Sequence, residues 1–144
     1  MRVLILIVAM ASATAFMRDA AAKRTAVERT TLDSVYSAAQ ASHGDTIYKA
    51  TCVKCHGAAL EGTATDGGPL TGKPFLDNWN GLAMDQLFDK VFTTMPSDKP
   101  QSLPRKEVAD VLAYVLSRNQ FPAGSAALPD SMELLRDIKI ATSR

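Results

Sequence analysis

The chain contains two cysteines, and both lie in the segment Cys52-Val53-Lys54-Cys55-His56. Two thiols separated by two residues, with a histidine directly after the second, form the spacing of covalent c-type haem attachment. The thiols can form thioethers with the two vinyl groups on one edge of a porphyrin. The histidine can then turn under the ring and give the iron a nitrogen ligand. The motif therefore predicts a domain built around a covalently bound haem.

Three other uses of a Cys-x-x-Cys pair have to be weighed. A thiol–disulfide oxidoreductase site is expected at the start of a helix within a βαβ pattern, and no such pattern surrounds these cysteines. A structural zinc needs four ligands, but the chain has only two cysteines and two histidines, and His43 precedes Cys52. A structural disulfide would leave His56 without a role. The motif favours haem over these alternatives.

Composition narrows the class of protein further. With 144 residues, of which 47% are hydrophobic and 22% charged, the chain fits one small folded domain with extensions. The formal net charge is +1, and the sequence has no basic stripe with interleaved aromatic residues. Nucleic acid is therefore not an expected partner.

The N-terminus predicts export. Arg2 precedes an apolar stretch over residues 3–11, which is followed by small residues that suit signal peptidase as far as Ala15. We interpret residues 1–15 as a signal peptide and expect a periplasmic protein. The alternative is a retained leader that associates the protein with the membrane, although the apolar stretch is short for a span.

A helix is predicted directly before the haem motif. Gly44, Ile47, Tyr48 and Thr51 recur at three- and four-residue spacing and so share one helical face. A glycine inside a helix costs about 1 kcal/mol relative to alanine, so Gly44 suggests the close approach of another helix. Residues 16–36, in contrast, show no sustained hydrophobic periodicity and are predicted to be a linker or loosely docked leader.

Two more helices are predicted downstream. One runs from Pro104 to about Asn119, and Tyr114 is the aromatic residue best placed on it to cross against the first helix. The other runs from about Met84 to Thr93. The apolar stripe of the first of these helices comprises Val108, Val111, Leu112, Val115 and Leu116. No convincing run of strands is found, which predicts an all-α fold.

Residues 41–124 resemble the monohaem class I c-type cytochromes. Gly68-Pro69-Leu70-Thr71-Gly72 is similar to the loop that follows the haem motif in that family, Thr94-Met95-Pro96 to its methionine loop, and Val111-Leu112-Ala113-Tyr114-Val115 to its C-terminal helix. The chain is also similar to cytochrome subunits of periplasmic quinoprotein dehydrogenases and to cbb3-type cytochromes. This similarity rests on Trp79-Asn80-Gly81, Leu87-Phe88, Thr94-Met95-Pro96 and Ala109-Asp110-Val111-Leu112-Ala113-Tyr114. The resemblance implies N- and C-terminal helices that cross over the haem, within a domain over 37–124 followed by an extension over 125–144.

The expected cofactor is one covalent haem c, and six residues are predicted to bind it: Cys52, Cys55, His56, Pro69, Trp79 and Met95. His56 and Met95 are the expected iron ligands, with Met84 and His43 as the competitors of Met95. A neutral thioether opposite histidine raises the potential of haem iron. The resemblance implies that the Pro69 carbonyl accepts a hydrogen bond from His56. The Trp79 indole can reach a haem propionate or can pack in the core.

With both axial positions filled by the protein, outer-sphere electron transfer remains. We therefore expect an exported carrier of single electrons, not itself an enzyme, between redox proteins such as a quinoprotein dehydrogenase and a terminal oxidase. One alternative is a subunit fixed in a periplasmic dehydrogenase complex. The other is a haem sensor or peroxidase with an open sixth site. In the tail, Asp130 can cap a short helix that docks on the domain or on a partner subunit.

Overall fold

The computed structural model describes residues 28–64 and 67–142. Its helices are α1 (Ala38–Thr51), α2 (Val53–His56), α3 (Gly72–Trp79), α4 (Met84–Thr94), α5 (Arg105–Arg118) and α6 (Met132–Arg136). Strands β1 (Arg29–Thr30) and β2 (Ile138–Lys139) pair in parallel, with a 3₁₀ turn at Thr31–Asp33 between β1 and α1. The predicted all-α class is confirmed, with these two short strands as an addition that the sequence did not reveal.

The predicted signal peptide over 1–15 lies outside the described residues. Within the part of the chain that the structure covers, no helix combines the length and hydrophobicity that crossing a bilayer requires.

Helices α1 and α5 pack directly against each other, with Gly44 at their crossing. A Cβ on Gly44 would lie 1.9 Å from the backbone oxygen of Asp110 and 3.0 Å from the Cβ of Tyr114. The rings of Tyr48 and Tyr114 meet at the same crossing, with their centroids 5.3 Å apart. The predicted packing role of Gly44 and the predicted crossing position of Tyr114 are therefore confirmed.

Helix α5 forms the centre of the core. All residues of the predicted apolar stripe are buried, but burial extends without a break from Val108 to Leu116. Helix α1 packs on one side of α5 and α4 packs on another. Other side chains of α5, including Val111 and Val115, line the cleft described below. A helix with neighbours on several sides loses the exposed face that a simple amphipathic pattern predicts.

A charged residue is buried in this helix. The Asp110 side chain is 1% exposed, and its carboxylate lies 2.7 Å from both His43 Nδ1 and Lys106 Nζ. Burial by itself raises the pKa of Asp110, but the hydrogen bonds from Lys106 and His43 outweigh burial and leave the pKa below its usual value. The folded state therefore favours the ionised carboxylate.

The described part of the predicted linker is packed into the fold. Val35 and Tyr36 are 1% and 2% exposed, and the Tyr36 hydroxyl donates a 2.6 Å hydrogen bond to the backbone oxygen of Phe121. Residues 28–36 thus differ from the predicted linker over 16–36. Their few apolar side chains have no helical or strand period, so the pattern did not disclose their burial.

The C-terminal extension also docks on its own domain, as predicted. Leu135, Ile138 and Ile140 are at most 1% exposed, whereas Leu134 remains 57% exposed. The residue at the N-cap of α6 is Ser131 instead of the predicted Asp130. The backbone oxygen of Asp130 accepts hydrogen bonds from the guanidinium group of Arg105, which ties the start of the extension to α5.

We expect the substitution Gly44→Ala to destabilise the holoprotein by about 1–3 kcal/mol, as overpacking does in other cores. Helix propensity alone would make the Gly44→Ala protein about 1 kcal/mol more stable than wild type. A loss of stability would therefore identify the close helix crossing as the cause. Urea unfolding followed by circular dichroism measures the difference. Ser42→Ala, at an exposed position of the same helix, is the matched control and should not lower stability.

The Asp110→Asn holoprotein should lose about 1–3 kcal/mol of stability at neutral pH, because the buried hydrogen bonds lose their charge. Since the folded-state pKa of Asp110 is lowered, its stabilising effect is present above the unfolded value and is lost as the pH falls through the folded value. The difference from wild type should therefore shrink below about pH 4 in urea unfolding curves. A difference that is constant with pH would contradict an electrostatic role.

Candidate haem site

The attachment motif comprises Cys52, which is the C-cap of α1, and the short helix α2. Helix α1 ends at Thr51, where the Cys52 N–H donates a 2.8 Å hydrogen bond to the Tyr48 oxygen. Helix α2 starts at the next residue, and the His56 N–H returns to the Cys52 oxygen at 3.0 Å. This helical turn brings the two thiols and the imidazole to one side of the backbone's path, facing the same cleft.

The Cys52 thiol does not have the character of a redox-active nucleophile. Burial, and next the neighbouring Cys55, raise the pKa of the Cys52 thiol to about 11. Catalytic thiols of disulfide oxidoreductases instead have lowered pKa values, since the thiolate is the nucleophile. Both cysteines are free. The arrangement therefore does not favour the thiol–disulfide alternative.

The imidazole of His56 is held by a backbone carbonyl. Its Nδ1 lies 2.9 Å from the oxygen of Gly68. Because a carbonyl only accepts hydrogen bonds, Nδ1 is the donor, and in this tautomer the lone pair lies on Nε2. This arrangement orients the ring and leaves Nε2 as the nitrogen that can bind a metal.

The acceptor is Gly68, one residue before the Pro69 predicted for this role. Gly67 packs so closely on the ring that a Cβ there would lie 2.9 Å from His56 Nδ1. The loop thus approaches the imidazole through its two glycines, and the carbonyl of the second one reaches Nδ1. Pro69 follows as an exposed residue, and Leu70 then returns to the fold through a 2.8 Å hydrogen bond to the Leu60 oxygen.

The cysteines and His56 line an apolar cleft that is partly open to solvent, with about 1100 Å³ of empty space when the adjoining open solvent is included. Trp79 from the end of α3 and Met95 from the end of α4 line the same cleft. Further apolar lining residues come from α3, α4, α5 and the loop before α3: Leu70, Phe75, Leu87, Val91, Leu112 and Val115. Residues distant in sequence thus converge on one space.

Met95 lies at the C-cap of α4, where its N–H donates a 2.9 Å hydrogen bond to the Val91 oxygen. Its competitors lie elsewhere. Met84 is 0% exposed within the core and is not part of the cleft lining, and His43 pairs with Asp110 beside a separate groove. Met95 is therefore the candidate ligand that shares the cleft with His56.

Trp79 lies against Phe75, with ring centroids 6.4 Å apart. Its side chain is partly buried and packs against the hydrophobic core. The ring therefore contributes apolar surface to the cleft. Both predicted uses of Trp79 are compatible with this position.

Sequence reasoning missed Asn119, which it treated only as part of a helix stop. In the structure its Nδ2 donates to the Leu70 oxygen at 2.9 Å, and its Oδ1 accepts from the Gly72 N–H at 3.0 Å. The end of α5 thereby holds the segment that leads from the His56 loop into α3. Asparagine near a helix C-terminus is a weak signal, because nothing in the sequence says which loop its amide will reach.

The donor set suits a haem. Two free thiols, an imidazole with Nε2 available and a thioether share one apolar cleft, which is the chemistry that covalent attachment and axial ligation of haem require. A zinc site would need a different set. In the described ranges, no three His, Cys, Asp or Glu residues are grouped closely enough to hold a metal ion.

The comparison with protein families agrees with this chemistry. A family model described as "Cytochrome C oxidase, cbb3-type, subunit III" matches residues 39–115, more than half of the chain. Among solved structures, the sulfane dehydrogenase SoxCD from Paracoccus pantotrophus matches at a TM-score of 0.48 and 19% identity, over 69% of this chain and 52% of that chain. No curated protein matches.

The family model covers α1, the Cys52–His56 motif, Met95 and most of α5. The chain belongs to this cbb3-type cytochrome family and is a class I c-type cytochrome with one covalently bound haem c, a class of electron-transfer domain.

Proposed function

We propose that the protein carries single electrons through a haem c that is attached at Cys52 and Cys55 and ligated by His56 and Met95. The observation that supports the proposal is that these four side chains, from two parts of the chain, line one apolar cleft. When bound, the haem iron supplies a one-electron couple. The protein's own contribution is to bind, orient and shield that centre.

Each ligand has a distinct effect on the centre. His56 donates from Nδ1 to the Gly68 oxygen, which fixes the ring and makes Nε2 a stronger donor. The thioether of Met95 is soft and neutral and stabilises the reduced iron, so this ligand pair raises the potential. The apolar lining has the same effect, since it disfavours the form with the higher charge.

Two protein ligands leave no coordination position for a substrate, which supports transfer over the sensor and peroxidase alternatives. The open side of the cleft gives electrons a short route to a partner protein. We propose a dehydrogenase as donor and a terminal oxidase as acceptor, in the periplasm, after removal of residues 1–15. If this protein always co-purified with a dehydrogenase in fixed stoichiometry, it would instead be a subunit of that dehydrogenase complex.

Mass spectrometry of the full chain, expressed in a host that matures c-type cytochromes, tests attachment and export together. We expect one haem to remain bound after denaturation, because thioethers survive unfolding, and an N-terminus that starts after the signal peptide. The double substitution Cys52→Ala and Cys55→Ala should abolish the retained haem. An unmodified full-length mass in the wild type would refute both parts.

A pair of methionine variants tests the sixth ligand. Met95→Ala should abolish the far-red methionine–iron absorption band of the ferric protein and lower its potential, because the soft ligand is lost. Met84→Ala should keep the band but lower stability by about 2–5 kcal/mol, as expected for a buried methionine. Spectra and urea unfolding separate the two effects. A high-spin ferric wild type would contradict the proposed ligation.

A further inference from the structure

We infer that two segments outside the family match, residues 28–36 and 131–142, act together to hold helix α4 and thereby position Met95. We name these two segments the clasp. The inference rests on the proposed ligation by Met95 and adds the residues that keep that ligand in place. The family model matches residues 39–115, so both segments of the clasp lie outside the matched region.

The two halves of the clasp are joined to each other. Strands β1 and β2 pair in parallel, with Arg29 opposite Ile138. Thr31 is 0% exposed, and its hydroxyl both donates to the Ala141 oxygen at 3.2 Å and accepts from the Ala141 N–H at 3.1 Å. Lys139 also pairs with Glu28. The tail is therefore fixed by the segment that precedes the haem domain.

The clasp holds the loop in front of α4. The Gly81 N–H donates to the Ile140 oxygen at 2.7 Å, and the Ile140 N–H donates to the Leu82 oxygen at 2.9 Å. The Thr142 N–H donates to Asn80 Oδ1 at 3.1 Å. This loop connects Trp79 at the end of α3 to the first residue of α4. Both neighbouring helices line the cleft, so the clasp fixes their junction.

The clasp also contacts the first turn of α4. Arg136 Nε lies 3.3 Å from Asp85 Oδ2, and Asp85 is only 9% exposed. The other carboxylate oxygen of Asp85 is buried and has no hydrogen-bond partner in the part of the chain that the structure describes. Removal of Arg136 would therefore leave a buried carboxylate without a partner, which weakens the seating of α4.

A second connection reaches the other half of α4. The Arg105 guanidinium lies over the rings of Phe88 and Phe92, 4.8 Å and 5.2 Å from their centroids. The same guanidinium donates to the Asp130 oxygen at 3.0 Å and 2.6 Å, immediately before the clasp begins. Phe92 lies one turn before Met95. The extension therefore braces α4 near both of its ends.

A helix moves as a stiff element, so its fixed ends decide where the residue at its C-cap lies. If Met95 ligates the iron, a movement of α4 or of the loop that follows it would withdraw the thioether from the iron. An external ligand that replaces Met95 binds only the detached state, so its apparent affinity reports the population of that state. Weakening the clasp should raise that population without altering any side chain in the cleft.

The test measures imidazole binding to the ferric, full-length holoprotein. We expect Arg136→Ala, which removes a part-buried hydrogen bond, and Thr31→Val, which removes two, each to tighten apparent imidazole binding about tenfold. The far-red band should also weaken, and the amides of α4 should exchange hydrogen faster. Lys49→Ala is the matched control, because it removes an exposed ion pair on α1, and it should leave imidazole affinity within about twofold of wild type.

The outcomes separate a positioning role from general stabilisation. If the clasp only stabilises the fold, the variants will unfold more readily while imidazole affinity, measured well below the unfolding midpoint, equals that of wild type, and the inference is overturned. Arg136 is 70% exposed, so its variant keeps the test decisive if Thr31→Val fails to fold. A wild type without the far-red band would refute Met95 ligation itself, which is a different failure.

Discussion

The crossing of α1 and α5 at Gly44 is the constraint on which the rest of the structure depends. The absence of a side chain there lets the backbone of α1 approach the Asp110 oxygen. The close approach sets the direction in which α1 delivers Cys52, and another side of α5 lies against the cleft. A bulkier residue at the crossing would separate the attachment motif from the apolar wall that receives the cofactor.

In the cleft the His56 ring is held firmly, whereas most of the lining surface is apolar. His56 is fixed by the hydrogen bond that it donates to a loop whose glycines allow the backbone to touch the ring. The remaining surface is largely apolar, and the thioether of Met95 enters it from the end of α4. Such a site suits a centre that changes charge by one unit without rearrangement, because little in its surroundings has to move when the electron arrives.

Most of the helices could be predicted because their patterns are local. The helix before Cys52, the one that ends before Met95 and the buried helix around Tyr114 all follow from residue spacing. Helix α3 was missed, since its eight residues include Pro74 and only a few apolar positions. The carbonyl that supports His56 was predicted one residue too late, because the choice between Gly68 and Pro69 depends on how the loop packs on the ring.

The sequence by itself determined the cofactor chemistry, because Cys52, Cys55 and His56 lie within one helical turn and need no distant residue to define their spacing. Only the tertiary structure decided that Met95 shares the cleft while Met84 is buried in the core. It also decided that residues 28–36 form one unit with the C-terminal extension. These relations depend on contacts between segments far apart in the chain, and no local period encodes which of two distant surfaces will meet.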